Sequence, residues 1–173
     1  PARCGSLSAA VKEAMLVAQR LNERGMPLII SCWFPPKWAI EHSQNHEISG
    51  IRAYKLLNNK KQQIYQSLSD YLLFLREQYH VEADYFSFNE SDIGIDVLFS
   101  PTEHDLFIKE FGAFMKQRGL RTKMLLGDNS DANTFNFVLP ALHDQDALPY
   151  IGALSFHSWR GCTDHNLLQW AAA

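Results

Sequence analysis

Four short apolar runs, each followed by a helical pattern, constrain this chain more than any other feature. They occupy residues 27–33, 83–88, 122–126 and 151–157. Between them, apolar side chains recur at helical spacing. One stripe is Val11, Met15, Ala18 and Leu21; a second is Ile64, Leu68, Tyr71, Leu72, Leu75 and Tyr79; a third is Phe107, Phe111, Phe114 and Met115. The spacing predicts helices over 8–24, 62–79, about 100–118, 134–143 and 163–172. Ser6 or Ser8 caps the first of these, which Gly25 ends, while Ser100-Pro101-Thr102-Glu103 is a helix start with a reciprocal cap. Thr163 or Asp164 caps the last, and residues 37–60 read as polar and irregular after Pro35-Pro36.

Strands that alternate with helices demand parallel pairing and helices packed over the sheet. A nearly unbroken apolar run such as residues 27–33 suits a strand buried on both faces. Two architectures satisfy this order: an open doubly wound sheet, or part of a (β/α)8 barrel. No turn carries GxGxxG and no P-loop is present, which favours the barrel.

Composition narrows the function classes. Hydrophobic residues make up 46% of the 173 and charged ones 20%, enough for a packed core and unlike a disordered tail or coiled coil. The net charge is −3 and no Lys/Arg run exceeds Lys60-Lys61, so no basic face for nucleic acid is expected. Apolar runs such as Met124-Leu125-Leu126 fall far short of the ~20 residues of a membrane span. Cys4, Cys32 and Cys162 are odd in number and lack a CxxC, against a disulfide framework or a cysteine zinc site. Cys32, within an apolar run, reads as a small buried hydrophobe. The chain opens on Pro1 with no charged-then-apolar leader, which reads as a leader removed or a start that is not the natural one.

The strand ends carry the chemistry. Trp33, Asn89-Glu90, Asp128-Asn129 and His157 each close a strand, and in a parallel α/β protein those ends share one rim. Aromatic, amide, carboxylate and imidazole groups on one rim suit a sugar cleft, because rings stack on pyranose faces while polar groups bond hydroxyls. Glu90, with Tyr85, Phe86 and Phe88 nearby in sequence, is the candidate proton donor. Each group also has an ordinary reading: Glu90 as a solvated loop acid, Asn89 or Asp128 as a cap, His157 as a core histidine, Trp33 and Trp38 as packing.

Several stretches resemble one known family. Cys32-Trp33-Phe34-Pro35-Pro36-Lys37-Trp38 looks like the Trp-x-Pro-Pro-Trp-Met stretch after the third barrel strand of glycoside hydrolase family 30, which includes glucosylceramidases. Ser87-Phe88-Asn89-Glu90 resembles its fourth-strand Asn-Glu-Pro motif, and Ser100 through Ile108 the opening of its fourth helix. Leu125-Leu126-Gly127-Asp128-Asn129 resembles the end of its fifth strand, and Phe156-His157-Ser158-Trp159 its sixth-strand His-x-Tyr. These stretches occur in the family's order over about residues 28–161.

The resemblance implies a single partial catalytic domain over 1–173, about strands 3 to 6 of a (β/α)8 barrel with their helices. It implies a retaining β-glycosidase with Glu90 as general acid/base and Asn89 bonding the sugar 2-hydroxyl. Trp33, Asp128, His157 and Trp159 would line the sugar subsite. The partner is a carbohydrate or glycolipid substrate (a glucoside, glucan, xylan or glycosphingolipid), no cofactor or metal is called for, and a secreted or extracytoplasmic setting follows from the family alone. Two departures stand out: Ser91 in place of proline after the glutamate, and Trp159 in place of tyrosine. The family's nucleophile comes from the seventh strand, so the chain alone is expected to be inactive; Asp128 and Glu47 are the other acids near the motifs. A four-strand section leaves two sheet edges unpaired, inviting self-association. The alternatives are a non-catalytic carbohydrate-binding or assembly half-barrel, and a metal-dependent hydrolase using His157, Asp128, Glu90 and His104, for which HxH and HExxH spacings are absent.

Overall fold

The computed structural model describes residues 7–41 and 50–173, so Cys4, Ser6 and Glu47 lie outside the described residues. The element order is α1 (Ala9–Glu23), β1 (Ile29–Cys32), α2 (Lys61–Tyr79), β2 (Tyr85–Phe88), α3 (Pro101–Gln117), β3 (Lys123–Asn129), α4 (Leu139–His143), β4 (Ile151–Phe156) and α5 (Asp164–Ala172). Among the described residues the strands pair in the order β1-β2-β3-β4, each pairing parallel, and form an open sheet. Among the described residues, no helix is long and apolar enough to cross a membrane.

Local chemistry sets the helix limits. The Ser8 hydroxyl accepts the Val11 N–H and opens α1. Ser100 and Glu103 exchange hydrogen bonds as a complete capping box at α3, with Pro101 at its first turn. Thr163 caps α5 through the Asn166 N–H. The helix expected over 134–143 is divided: a 3-10 segment runs Ala132–Phe137 and α4 begins at Leu139. Pro140 has no N–H to extend the ladder backward, and Thr134 sits at φ −99°, ψ 24°, outside helical geometry.

The strand period of two sorts the sheet's faces. Phe86 and Phe88 project to the helix side, where Phe86 meets Phe111 at 5.2 Å and Phe88 meets Phe107 at 5.1 Å between ring centroids. Tyr65, Phe99, Ile108 and Met115 complete this layer, and full burial of one such side chain contributes about 1.5–3 kcal/mol. A second cluster joins Met15 and Ala18 of α1 to Leu28, Leu75 and Val81. Cys32 is half-buried against the main core, with its thiol pushed up to about 12 by burial and then by the nearby Asp96 charge. The other face is lined by smaller and polar groups. Ser31 lies opposite Ser87 in register, and Tyr85 lies over Gly152, where a Cβ would come within 2.6 Å of the ring.

β3 departs from a regular ladder near its end. Gly127 pairs with Ser155 and Asn129 with Phe156, leaving Asp128 as the extra residue of a bulge. Gly127 has φ 89°, and a Cβ there would stand 2.7 Å from the Ser155 carbonyl oxygen, so only glycine fits the approach.

His104 of α3 is fully buried, stacked on Phe137 at 4.6 Å, and its Nε2 accepts the Gly127 N–H at 3.2 Å. Desolvation lowers its pKa from 6.5 to about 3. Below pH 6.5 the unfolded chain therefore binds a proton that the folded protein refuses, and stability falls as pH drops through that window. Denaturant unfolding between about pH 5 and 6.5, where carboxylates titrate little, should show a loss approaching about 1.4 kcal/mol per pH unit from this group. His104→Asn should be less stable overall yet lack that slope, and an equal slope in both proteins rules the assignment out.

Candidate active site

The carboxyl ends of β2, β3 and β4 meet at one rim, and four predicted side chains join there. Glu90 is buried; its Oε1 accepts the Trp159 indole N–H at 2.8 Å and faces His157 Nδ1 at 3.4 Å. His157 Nε2 stands 3.2 Å from Asp128 Oδ1. Asp128 Oδ2 takes the hydroxyls of Ser87 at 2.7 Å and Ser31 at 3.2 Å. The His157 and Trp159 rings lie nearly parallel, 10° apart in plane. An open depression of about 350 Å³ is bounded by Asp128, Ser155, Phe156, His157, Ser158 and Trp159.

The two carboxylates share an uncommon backbone. Glu90 has φ 44° and Asp128 φ 52°, a left-handed conformation that costs roughly 1–2 kcal/mol for a non-glycine residue. A main-chain bond from Glu90 N–H to the Asp128 carbonyl, 3.0 Å long, ties these two residues together. The Glu90 carbonyl accepts the N–H groups of Gly94 and Ile95, closing the turn after β2. Backbone strain held at adjacent strand ends is a mark of functional sites.

The remaining predicted residues stand apart from this cluster. Asn89 is buried, its N–H bonded to the Cys32 carbonyl at 3.2 Å, and its side-chain Nδ2 has no hydrogen-bond partner among the described residues. Trp33 is half exposed beyond β1, with Phe34 as its ring neighbour at 6.5 Å. Phe86 and Phe88, near Glu90 in sequence, are turned by the alternation of the strand toward Phe111 and Phe107 of α3. Asp128 caps nothing: its oxygens go to two serines and a histidine. His104 lies in the helix layer with Nε2 already engaged, and among the described residues no three His, Cys, Asp or Glu side chains are grouped as metal ligands. Ser91 is buried, and its carbonyl accepts the Phe99 N–H at 3.0 Å.

Sequence reasoning missed the supports. Ser31 and Ser87 sit at alternate positions of apolar strands, a polar signal on an inward face. Asp92 and Asp131 gave no signal at all. Asp92 accepts the Ser130 N–H and hydroxyl, both at 3.0 Å, tying the loop after β2 to the loop after β3. Asp131 binds the Arg160 guanidinium through Nη2 at 2.7 Å and Nε at 3.1 Å, and the Ala132 N–H returns to the Arg160 carbonyl. Trp170 of α5 adds its indole N–H to the Ala132 carbonyl at 2.7 Å. Arg160 thereby holds the loop that carries Trp159.

A second cavity, about 230 Å³, lies on the helix side, with Ile64, Phe99 and Phe107 among its walls. Its charges pair across the rim, Lys55 with Glu103 and Lys61 with Glu110, both at 2.8 Å. The rim at the strand ends, where a buried acid meets an imidazole and an exposed indole, is the candidate active site.

No protein-family model matches the sequence, and no curated protein sequence matches it. Solved structures do. A GH30 endoxylanase from Clostridium papyrosolvens C71 superposes with a TM-score of 0.74 at 20% identity, covering 95% of this chain and 42% of that one. An endo-β-1,6-glucanase gives 0.76 at 17% identity, over 94% of this chain and 39% of that one. A GH30 subfamily 8 xylanase from Clostridium acetobutylicum gives 0.72 at 16%, over 88% and 38%. The fold is like a section of the barrel in these glycoside hydrolase structures. The chain spans about two fifths of the length of these structures, and its four strands form an open section of such a barrel.

The Arg160 clamp makes a measurable claim. In Arg160→Met, the Trp159 indole proton should exchange with solvent faster than in the unaltered protein, while the Trp170 indole proton stays protected. Nuclear magnetic resonance of the indole N–H signals reads both, and equal exchange of Trp159 in the two proteins excludes the clamp.

Proposed function

We propose that this chain forms part of a retaining β-glycosidase in which Glu90 is the general acid/base. The observation that carries the reading is Glu90 itself: a buried carboxyl at a strand end, bonded to an indole and facing an imidazole. The xylanase and glucanase structures that share the fold support the same reaction class. In the first step Glu90 gives its proton to the leaving oxygen as the C1–O bond breaks, while a second carboxylate forms a bond to C1. In the second step Glu90 takes a proton from water, whose oxygen displaces that carboxylate from C1.

The surrounding groups fit supporting roles. Asn89 Nδ2, buried without a partner, is a donor for the sugar 2-hydroxyl, a bond that strengthens toward the transition state. Trp159 is largely exposed and offers a ring face beside the depression, and Trp33 offers another at the rim. A retaining nucleophile stands about 5–5.5 Å from the acid. Asp128 is engaged by Ser31, Ser87 and His157, so this reading assigns the nucleophile to a part of the full-length protein outside this chain. The substrate is an O-glycoside of a glucoside, glucan, xylan or glycosphingolipid type.

The experiment is Glu90→Gln in the full-length protein on aryl β-glycosides. The acid/base role predicts a loss of about 10²–10⁴-fold on substrates with poor leaving groups. With a dinitrophenolate leaving group the bond-breaking step should be nearly spared, and added azide should restore turnover as a glycosyl azide. Unchanged kinetics on both classes of substrate overturn the reading.

A further inference from the structure

Asp128 is held in a way that determines where its neighbours keep their protons. Ser31 and Ser87 are register partners on β1 and β2, with hydroxyl oxygens 3.1 Å apart, and both reach the same carboxylate oxygen, Oδ2. The other oxygen, Oδ1, is then directed at His157 Nε2, 3.2 Å away. A carboxylate only accepts hydrogen bonds, so Nε2 must be the nitrogen that carries a proton. Nδ1 is left facing Glu90 Oε1 at 3.4 Å. Two basic atoms face each other there, and the arrangement is satisfied when one proton lies between them, on Oε1 or on Nδ1.

We infer that Ser31 and Ser87 are positioning residues: by engaging Asp128 Oδ2 they commit His157 to the Nε2–H form, so that Nδ1 shares the proton of Glu90. The inference rests on the acid/base reading of Glu90 and extends it to the sheet interior. When a leaving oxygen takes the shared proton, His157 keeps its Nε2 proton on Asp128 and Glu90 is left as the carboxylate. The proton returns from water in the second step, which restores the starting charge of the group, with Asp128 a carboxylate throughout. Trp159 sharpens this role, since an indole N–H on Oε1 can donate and never accept. On the neighbouring loops Arg160 pairs with Asp131, and Asp92 is bonded to Ser130. Arg160 also feels the Glu90 and Asp92 charges, so it belongs to the same field.

Serine at these two positions is explained by geometry. Ser87 is almost fully buried, and an alanine there would leave Asp128 Oδ2 short of a donor inside the sheet. With Ser31 replaced as well, that oxygen is unpaired, the carboxylate is free to turn and its hold on Nε2–H is lost. The structural role alone predicts reduced stability; the positioning role predicts a change in tautomer.

Nitrogen-15 spectra of the His157 imidazole in the full chain test this directly. The unaltered protein should show Nε2 protonated and Nδ1 unprotonated or shared. In Ser31→Ala/Ser87→Ala the ratio of Nε2–H to Nδ1–H should fall about tenfold, the size of one net hydrogen bond. Ser87→Thr, which keeps a hydroxyl, should restore it. In the full-length protein, the pH profile of kcat/KM on a poor leaving group should shift in the double variant by more than about half a unit. Ser31→Ala alone, which keeps the shorter Ser87 bond, serves if the double variant does not fold, with a smaller change of the same sign. An Nδ1–H tautomer in the unaltered protein, or a tautomer ratio unmoved by the variants, overturns the inference. The spectra need no turnover, so failure of the glycosidase reading, seen as indifference to Glu90→Gln, is distinguishable from failure of the serine role.

Discussion

One main-chain hydrogen bond organises the rim: Glu90 N–H to the Asp128 carbonyl, 3.0 Å, between two residues that both hold left-handed backbone. It accompanies the bulge near the end of β3, where Asp128 stands between Gly127 and Asn129 without a partner on β4. The bulge turns Asp128 out of the ladder, and Gly127 permits the close approach to Ser155 that the bulge demands. Without the extra residue, strand alternation would send the Asp128 side chain elsewhere and His157 would lose the oxygen opposite Nε2. The strain at two positions is held by the ladder on one side and by loop hydrogen bonds on the other.

Those loop bonds divide the labour with the core. On the helix side, Phe86, Phe88, Phe107 and Phe111 interlock and fix how β2 and α3 lie against each other. On the rim, polar bonds join segments far apart in sequence: Asp92 to Ser130, Asp131 to Arg160, Trp170 to Ala132. A dense apolar layer gives stiffness without direction, whereas hydrogen bonds have direction and aim side chains. The cluster of Glu90, His157, Asp128 and Trp159 depends on both.

Much of this architecture is legible along the chain. The alternation of apolar runs with 3.6-period stripes leads to the parallel sheet, and Ser100-Pro101-Thr102-Glu103 marks α3 to the residue. Glu90, Asp128 and His157 stand out because each lies at a strand end, and strand ends in such folds share a rim, whereas Trp159 stands out only through the resemblance of Phe156-His157-Ser158-Trp159. The 134–143 segment is less legible, since one proline and a non-helical threonine divide an apolar pattern that reads as continuous. Asp131 and Arg160 are illegible: 29 residues separate them, and no local pattern pairs an acid with a base at that distance. Phe86 and Phe88 are the opposite case: near Glu90 in sequence, they are turned by strand alternation onto Phe111 and Phe107 of α3.

The sequence by itself determined the order of the elements, their parallel pairing and the residue types at the strand ends, because periodicity and capping act within a few residues. Only the tertiary structure decided which of those groups meet. The bulge at Asp128, the register that sets Ser31 beside Ser87, and the loop clamp behind Trp159 all arise between segments. Tens of residues separate their partners, and the physics that joins them is register and close packing rather than local preference.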